Sequence, residues 1–215
     1  MRAISLLAAQ AVAIVAFAAS SPVRAQSSAD RERDVESALD QYGAAKTPAE
    51  RAAVFDFVQH LDRPLVAEAV VDHIVASRNG TEATLYGQLV APLSPASCAA
   101  LEARLKDATT PTVKGKLIVA LRHCHGPGSF RDLIICLDDK RTVPFEAHGP
   151  APRRVCDLAY DELFLKLRAV PQYGLDPTPR MRDAITETMP VRRRNSLIAK
   201  LKFNLLRFPP TPLEK

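Results

Sequence analysis

The chain of 215 residues holds no tryptophan, eight glycines, four tyrosines and eight phenylalanines. All-β sandwiches and barrels lean on aromatic and β-branched residues with glycine-bearing turns, and phosphate-cradling folds need glycines clustered at a strand-to-helix turn. The scarcity of both argues against either class. Catalytic signatures are missing too: there is no G-x-S-x-G elbow, no H-E-x-x-H pair, no C-x-x-C and no S-x-x-K, since Ser196 is followed three residues on by Ala199. Beyond the first 25 residues no apolar run approaches the roughly 20 residues of a spanning helix. What is present is 47% apolar and 25% charged residues, the balance of a folding chain with room for one sizeable domain or two small ones.

The N-terminal 25 residues read as a secretory signal peptide. Arg2 supplies a positive start, Ile4 to Ala19 is apolar except for Ser5 and Gln10, and Val23 and Ala25 place small residues before a cut after Ala25. The expected mature protein, from Gln26 on, is periplasmic or secreted. Its charge is uneven: residues 26–175 carry 18 basic and 20 acidic residues, residues 176–215 carry 9 and 4. The basic character belongs to the C-terminal segment.

Seventeen prolines are compatible with a helical chain because they stand where helices begin. Thr47-Pro48-Ala49-Glu50 is a capping box with proline at the first helical position. Ser94-Pro95, Thr110-Pro111 and Thr178-Pro179 repeat the device, and Asp62-Arg63-Pro64 is a looser version. The missing proline N–H is harmless there, since the first helical donors have no intrahelical acceptor. Apolar spacing agrees: Val54, Phe57, Val58 and Leu61, then Val66, Ala69, Val70 and Ile74, follow the helical period. Asn79-Gly80, Gly126-Pro127-Gly128 and Gly149-Pro150 mark breaks. This predicts helices over 29–43, 48–61, 64–77, 82–91, 95–107, 111–123, 129–138, 152–169, 179–189 and 192–206. The stretch 139–150 reads as an extended loop.

Short links force neighbouring helices to run antiparallel. Pairing 48–61 with 64–77, 82–91 with 95–107 and 111–123 with 129–138 gives stacked hairpins of irregular period, the pattern of degenerate helical repeats. The tetratricopeptide pattern is absent. The stretch Arg153-Arg154-Val155-Cys156-Asp157-Leu158-Ala159-Tyr160-Asp161-Glu162-Leu163 resembles the second-helix consensus V-x-D-x-A of HEAT-type (armadillo-type) repeats. That resemblance implies an α-α superhelix used mainly to bind proteins, in which Asp157 bonds to neighbouring backbone and Ala159 permits close packing. It implies no catalytic residues. The expected organisation is an all-α fold of stacked antiparallel helical hairpins: an N-terminal helix and linker over 26–46, a repeat core over 47–170, and a basic helical pair and tail over 171–215.

Four cysteines in an oxidising compartment allow two disulfides. The helix map brings Cys98 to Cys124 and Cys136 to Cys156, the alternative being buried thiols. His123-Cys124-His125 is the one dense cluster of metal-ligand types, but adjacent helical residues point about 100° apart, so no metal site and no cofactor is expected. Asp138-Asp139 and Asp161-Glu162 are paired acids of the kind common on solvated faces, and His60, His73 and His148 stand singly. In the last helix Arg192, Arg193, Arg194, Lys200 and Lys202 accompany an apolar stripe of Leu197, Ile198, Leu201 and Leu205, with Asp183 and Glu187 as acidic neighbours. Such a helix suits an anionic partner or membrane surface, and nucleic acid is disfavoured because no aromatic residues interleave the basic ones. The leading expectation is a non-catalytic module that binds a protein partner. The rivals are an enzyme or small-ligand binder using a groove near His123, His125 and His148, and a membrane-apposed protein using the basic helix.

Overall fold

The computed structural model describes residues 27–61, 63–93, 95–144, 152–168, 175, 184–186 and 188–209. The signal segment, His148, Asp183, Glu187 and Thr178-Pro179 lie outside them. Among the described residues the fold is all-α: α1 Ser28–Ala44, α2 Pro48–Val58, α3 Arg63–Ala76, α4 Gly80–Leu93, α5 Pro95–Asp107, α6 Pro111–Ala120, a 3-10 turn Leu121–His123, α7 Pro127–Cys136, α8 Val155–Leu167 and α9 Val191–Arg207. A single antiparallel bridge, Thr142 with Arg154, occupies the loop before α8.

Caps explain most of the helix starts. Thr47 accepts the Glu50 N–H at 3.2 Å while Glu50 accepts the N–H groups of Thr47 and Lys46 at 3.1 and 2.8 Å. Thr110 caps α6 through the Val113 N–H at 3.3 Å. Asn79-Gly80 is both a break and a beginning: Asn79 accepts the Glu82 N–H at 2.9 Å and Glu82 accepts the Arg78 N–H at 2.6 Å, so α4 starts two residues before the predicted boundary. The predicted helix over 179–189 is corrected where it is described: residues 184–186 and 188–190 are not helical.

Neighbour pairing also differs from expectation. Among chain neighbours the extensive contacts join α1 to α2, α3 to α4 and α7 to α8; the expected pair α4–α5 meets as closely as α5–α6, whereas α2–α3 and α6–α7 meet little. Successive odd helices stack α1, α3, α5, α7, and even ones α4, α6, α8. Two of the three expected hairpins, α2 with α3 and α6 with α7, are therefore replaced by α1 with α2 and α7 with α8, because the N-terminal helix α1 buries Val35, Ala38, Leu39 and Tyr42 and takes the place beside α2. The core runs continuously through Leu39, Ile74, Leu89, Leu101, Leu117, Leu133 and Leu163. Where α4 crosses α6 the backbones meet at Gly87, whose missing Cβ would stand 2.9 Å from the Ala120 Cα; only glycine permits that approach.

The helix α9 is tied to α8 by charge as well as by its apolar stripe. Asp157, fully buried, accepts from Arg154 Nη2 at 2.7 Å, Arg154 Nε at 3.1 Å, the Arg154 N–H at 3.0 Å and Arg194 Nη1 at 3.0 Å. Arg194, equally buried, also donates to the Met189 and Pro152 carbonyls, and Arg154 reaches Asn195. Burial pushes the Asp157 carboxyl up, but the hydrogen bonds of Arg154 and then Arg194 outweigh it and hold the group below its ordinary range. Every member has partners, which is the condition for a buried ion cluster to be tolerated.

Cys98 and Cys124 are joined, with Cα atoms 5.7 Å apart, pinning the first turn of α5 to the end of the 3-10 turn. Closing a loop with a sequence separation of 26 contributes about 3–4 kcal/mol in the chain-entropy account. The second expected bridge is not present: Cys136 and Cys156 are buried, unlinked thiols, both pushed up to about 11 by burial.

Two outcomes follow. A thiol reagent should find no rapidly reacting cysteine in the folded protein and two after denaturation without reductant, and reduction should add two hydrogens to the mass; four thiols or none would contradict the assignment. Asp157→Asn leaves two buried guanidiniums short of a counter-charge and should cost about 3–5 kcal/mol in urea unfolding at neutral pH. Because the Asp157 pKa is lowered on folding, its contribution is full above the ordinary carboxylate range and is lost as pH falls through the lowered value, so the gap between wild type and variant should narrow in acid.

Candidate functional site

The N-terminus of α4 stands between α2 on one side and α8 on the other, and a groove runs past it. Two adjoining hollows share Thr81, Thr84 and Arg122. The larger, about 740 Å³, is walled by Gly43, Pro48 and Arg51 on one side and by Arg78, Asn79, Glu82, Leu85 and Gln88 of α4 and the turn before it. The smaller, about 200 Å³, reaches Arg153 just before α8 and Leu158, Asp161 and Glu162 on it. The caps described above create this arrangement: Asn79 opens α4 early, and Thr81 in its first turn lines both hollows.

Charge in the groove is largely committed. Glu162, buried, takes a two-point contact from Arg122, Nη2 to Oε1 at 2.7 Å and Nε to Oε2 at 3.1 Å, while close to half of the Arg122 side chain stays in solvent. Arg78 pairs with Glu82 at 3.2 Å. Arg153 pairs with Asp161 through Nη2 and also donates to the Asp157 carbonyl, but its buried Nε has no partner. Arg51 makes no ion pair among the described residues; its field, felt at Tyr42, is the exception in a cleft of matched charges. With four cations to three acids, the groove can accept an anion at Arg51 and along the exposed side of Arg122.

Burial sets the titration of the acids. The Asp161 carboxyl is pushed up to about 6 by desolvation, against the pull of Arg153. Glu162 is raised by burial and pulled back by Arg122. Lys166, one turn further along α8, donates to the carbonyls of Leu121, Arg122 and Cys124, closing the C-terminal end of the 3-10 turn beneath the groove. A carboxyl titrating near neutrality beside guanidiniums is a feature of binding sites as well as of structural ion pairs.

The residues expected from sequence distribute differently. His123 and His125 line neither hollow: His123 is half-buried with an unpartnered Nε2 and is lowered by burial, then by Arg122, Lys166 and His125. His148 lies outside the described residues. Cys124 is consumed by the disulfide, and among the described residues no three side chains converge as a metal site. His60 bonds to the Asp56 carbonyl and His73 to Glu36. Asp139 is held near 2 by the hydrogen bond from Arg141, and Asp138 pairs with Lys202 at 2.5 Å. Of the basic set on α9, Arg194 is withdrawn as an external contact because it is fully buried on Asp157, and Lys202 is occupied with Asp138; Arg192, Arg193 and Lys200 remain exposed.

Arg51, Arg78, Thr81, Thr84 and Arg122 form no motif, since they come from segments up to 71 positions apart and only folding assembles them. Of the groove's residues, the Asp161-Glu162 pair stands out as a feature of the sequence, and neighbouring positions on α8 send these two carboxylates to different arginines. Comparison of the chain with protein-family models, with curated proteins and with solved structures found no match.

Asp161 supplies a test of the groove's electrostatics. Its folded pKa lies above the ordinary 3.8, so folding favours the protonated form: the stability it lends is complete below the unfolded value and lost as pH rises through about 6. Asp161→Asn should therefore improve relative to wild type as the pH of urea unfolding is raised from about 4 to about 8. A difference that does not change over that range would show that Arg153 has already cancelled the cost of burial.

Proposed function

We propose that this protein is an exported, non-catalytic helical-repeat module of HEAT-like type, and that the groove beside the α4 N-terminus binds a carboxylate-bearing segment of a protein partner. The observation that carries the reading is Arg51, a half-buried guanidinium with no ion-pair partner among the described residues, set in the wall of the largest hollow described. Arg78 and the solvent-facing side of Arg122 add positive potential along the same path, and Thr81 and the side-chain amide nitrogens of Asn79 and Gln88 lie in the same wall. A hollow open to solvent, with polar and apolar wall in nearly equal measure, suits a peptide chain better than a small apolar ligand, which needs an enclosed, mostly apolar pocket. The i to i+2 stacking of the helices supports the repeat reading, since neighbour contacts are how such stacks build a long concave face. The signal-like segment at residues 1–25 supports export. No described helix is long and apolar enough to cross a membrane.

The binding reading is tested by replacing Gln88 with a photoreactive residue and irradiating the expressing cells. A discrete protein adduct should form, and it should be lost when Arg51→Glu and Arg78→Glu are added, with circular dichroism and thermal unfolding checking that the double variant, whose Arg51 is half-buried, keeps its fold. In solution the same double variant should weaken binding of a glutamate-rich decapeptide by about tenfold or more, the equivalent of at least ~1.4 kcal/mol. An adduct indifferent to the charge reversal, or a peptide that binds neither protein, overturns the assignment.

A further inference from the structure

The outer face of α9 is unlike the rest of the surface. The helix has 17 residues, about 25 Å at 1.5 Å per residue, and carries six basic residues and no acid. Its leucine stripe is already spent: Leu197, Ile198, Leu201 and Leu205 are buried, with Arg194 beside them on Asp157. Nevertheless the opposite face is apolar too. Phe203 is 63% exposed, Leu206 82% and Phe208 39%. At 100° per residue Arg192, Ala199, Phe203 and Leu206 fall within about 60° of one another, and Arg207, Lys200 and Arg193 follow along one flank. Arg207 lies over the Phe208 ring at 5.3 Å. On the other flank Lys202 is turned aside to Asp138.

Isolated exposed apolar residues are ordinary, but protruding Phe and Leu on a convex helix face, bordered by cations of one sign, are the pattern of helices that lie in a membrane interface. We propose that α9 seats the protein on the surface of an anionic phospholipid bilayer, with Phe203 and Leu206 entering the headgroup boundary and Arg192, Arg193 and Arg207 over the phosphates. The charge argues for the occupant: a face with three exposed arginines, Arg192, Arg193 and Arg207, and no acid on its own helix complements a uniformly negative surface. Its shape argues in the same direction, since the helix packs on α8 and presents a ridge, which a deformable bilayer accommodates. The ridge lies on a different element from the groove, so the two surfaces can be occupied together.

The absence of tryptophan makes the test direct. Phe203→Trp introduces one indole, whose emission should shift to the blue on adding vesicles of phosphatidylcholine with a quarter phosphatidylglycerol, and should not shift with pure phosphatidylcholine. In co-sedimentation with the anionic vesicles, Phe203→Glu with Leu206→Glu should lower the apparent partition coefficient at least tenfold, as should Arg192→Glu with Arg193→Glu. Raising salt should weaken binding of the wild type. All variants keep the same N-terminal segment, so differences between them belong to α9, and circular dichroism should confirm unchanged helix content because the altered positions are exposed. Equal sedimentation of all variants, or a lack of spectral response to anionic vesicles, overturns the proposal. So does a blue shift without lipid that grows with protein concentration, which would assign the face to a second copy of the chain.

Discussion

The position of α9 depends on one buried contact, the carboxylate of Asp157 shared between Arg154 and Arg194. Removing a charged triad from water carries a large desolvation penalty, which is recovered only when geometry and hydrogen bonding are complete. Here the two guanidiniums are also satisfied by the Pro152 and Met189 carbonyls and by Asn195. The node thus fixes the start of α8, the approach of the chain at 189–190 and the first turn of α9 relative to one another. An apolar seam can slide by part of a turn; a carboxylate that must meet two fixed donors cannot.

That constraint has consequences on both sides of α8. One turn along, Asp161 and Glu162 are delivered to Arg153 and Arg122 and so define the inner end of the groove. On the other side, locking Arg194 inward determines the rotation of α9 about its axis, which turns Phe203 and Leu206 outward. Stability and surface chemistry are coupled through the same residue. The disulfide between Cys98 and Cys124 plays a complementary role, holding α5 to the 3-10 turn whose Arg122 lies between the two hollows.

Local rules were legible in the chain to different degrees. The capping box at Thr47 and the threonine cap at Thr110 are contained within four residues, and the structure has them where the spacing predicts. The Cys98–Cys124 link followed from two helix ends that antiparallel packing brings together. Cys136 and Cys156 obeyed the same reasoning yet stayed buried and unlinked, since proximity of helix ends does not orient two thiols. The stripe on α9, Leu197, Ile198, Leu201 and Leu205, is open to either use in the sequence, because hydrophobic period does not say whose core a stripe joins; the fold buries it.

By itself the sequence determined the helical class and most helix boundaries, which rest on interactions between residues close in the chain, and it offered two cysteine pairs of which the packed structure joins one. Tertiary structure alone decided the pairing register of the helices, the inward fate of Arg194 and the groove at Arg51, Arg122 and Asp161. These depend on which face of each helix meets which neighbour and on the balance of desolvation against partner charge, and both are properties of the packed molecule.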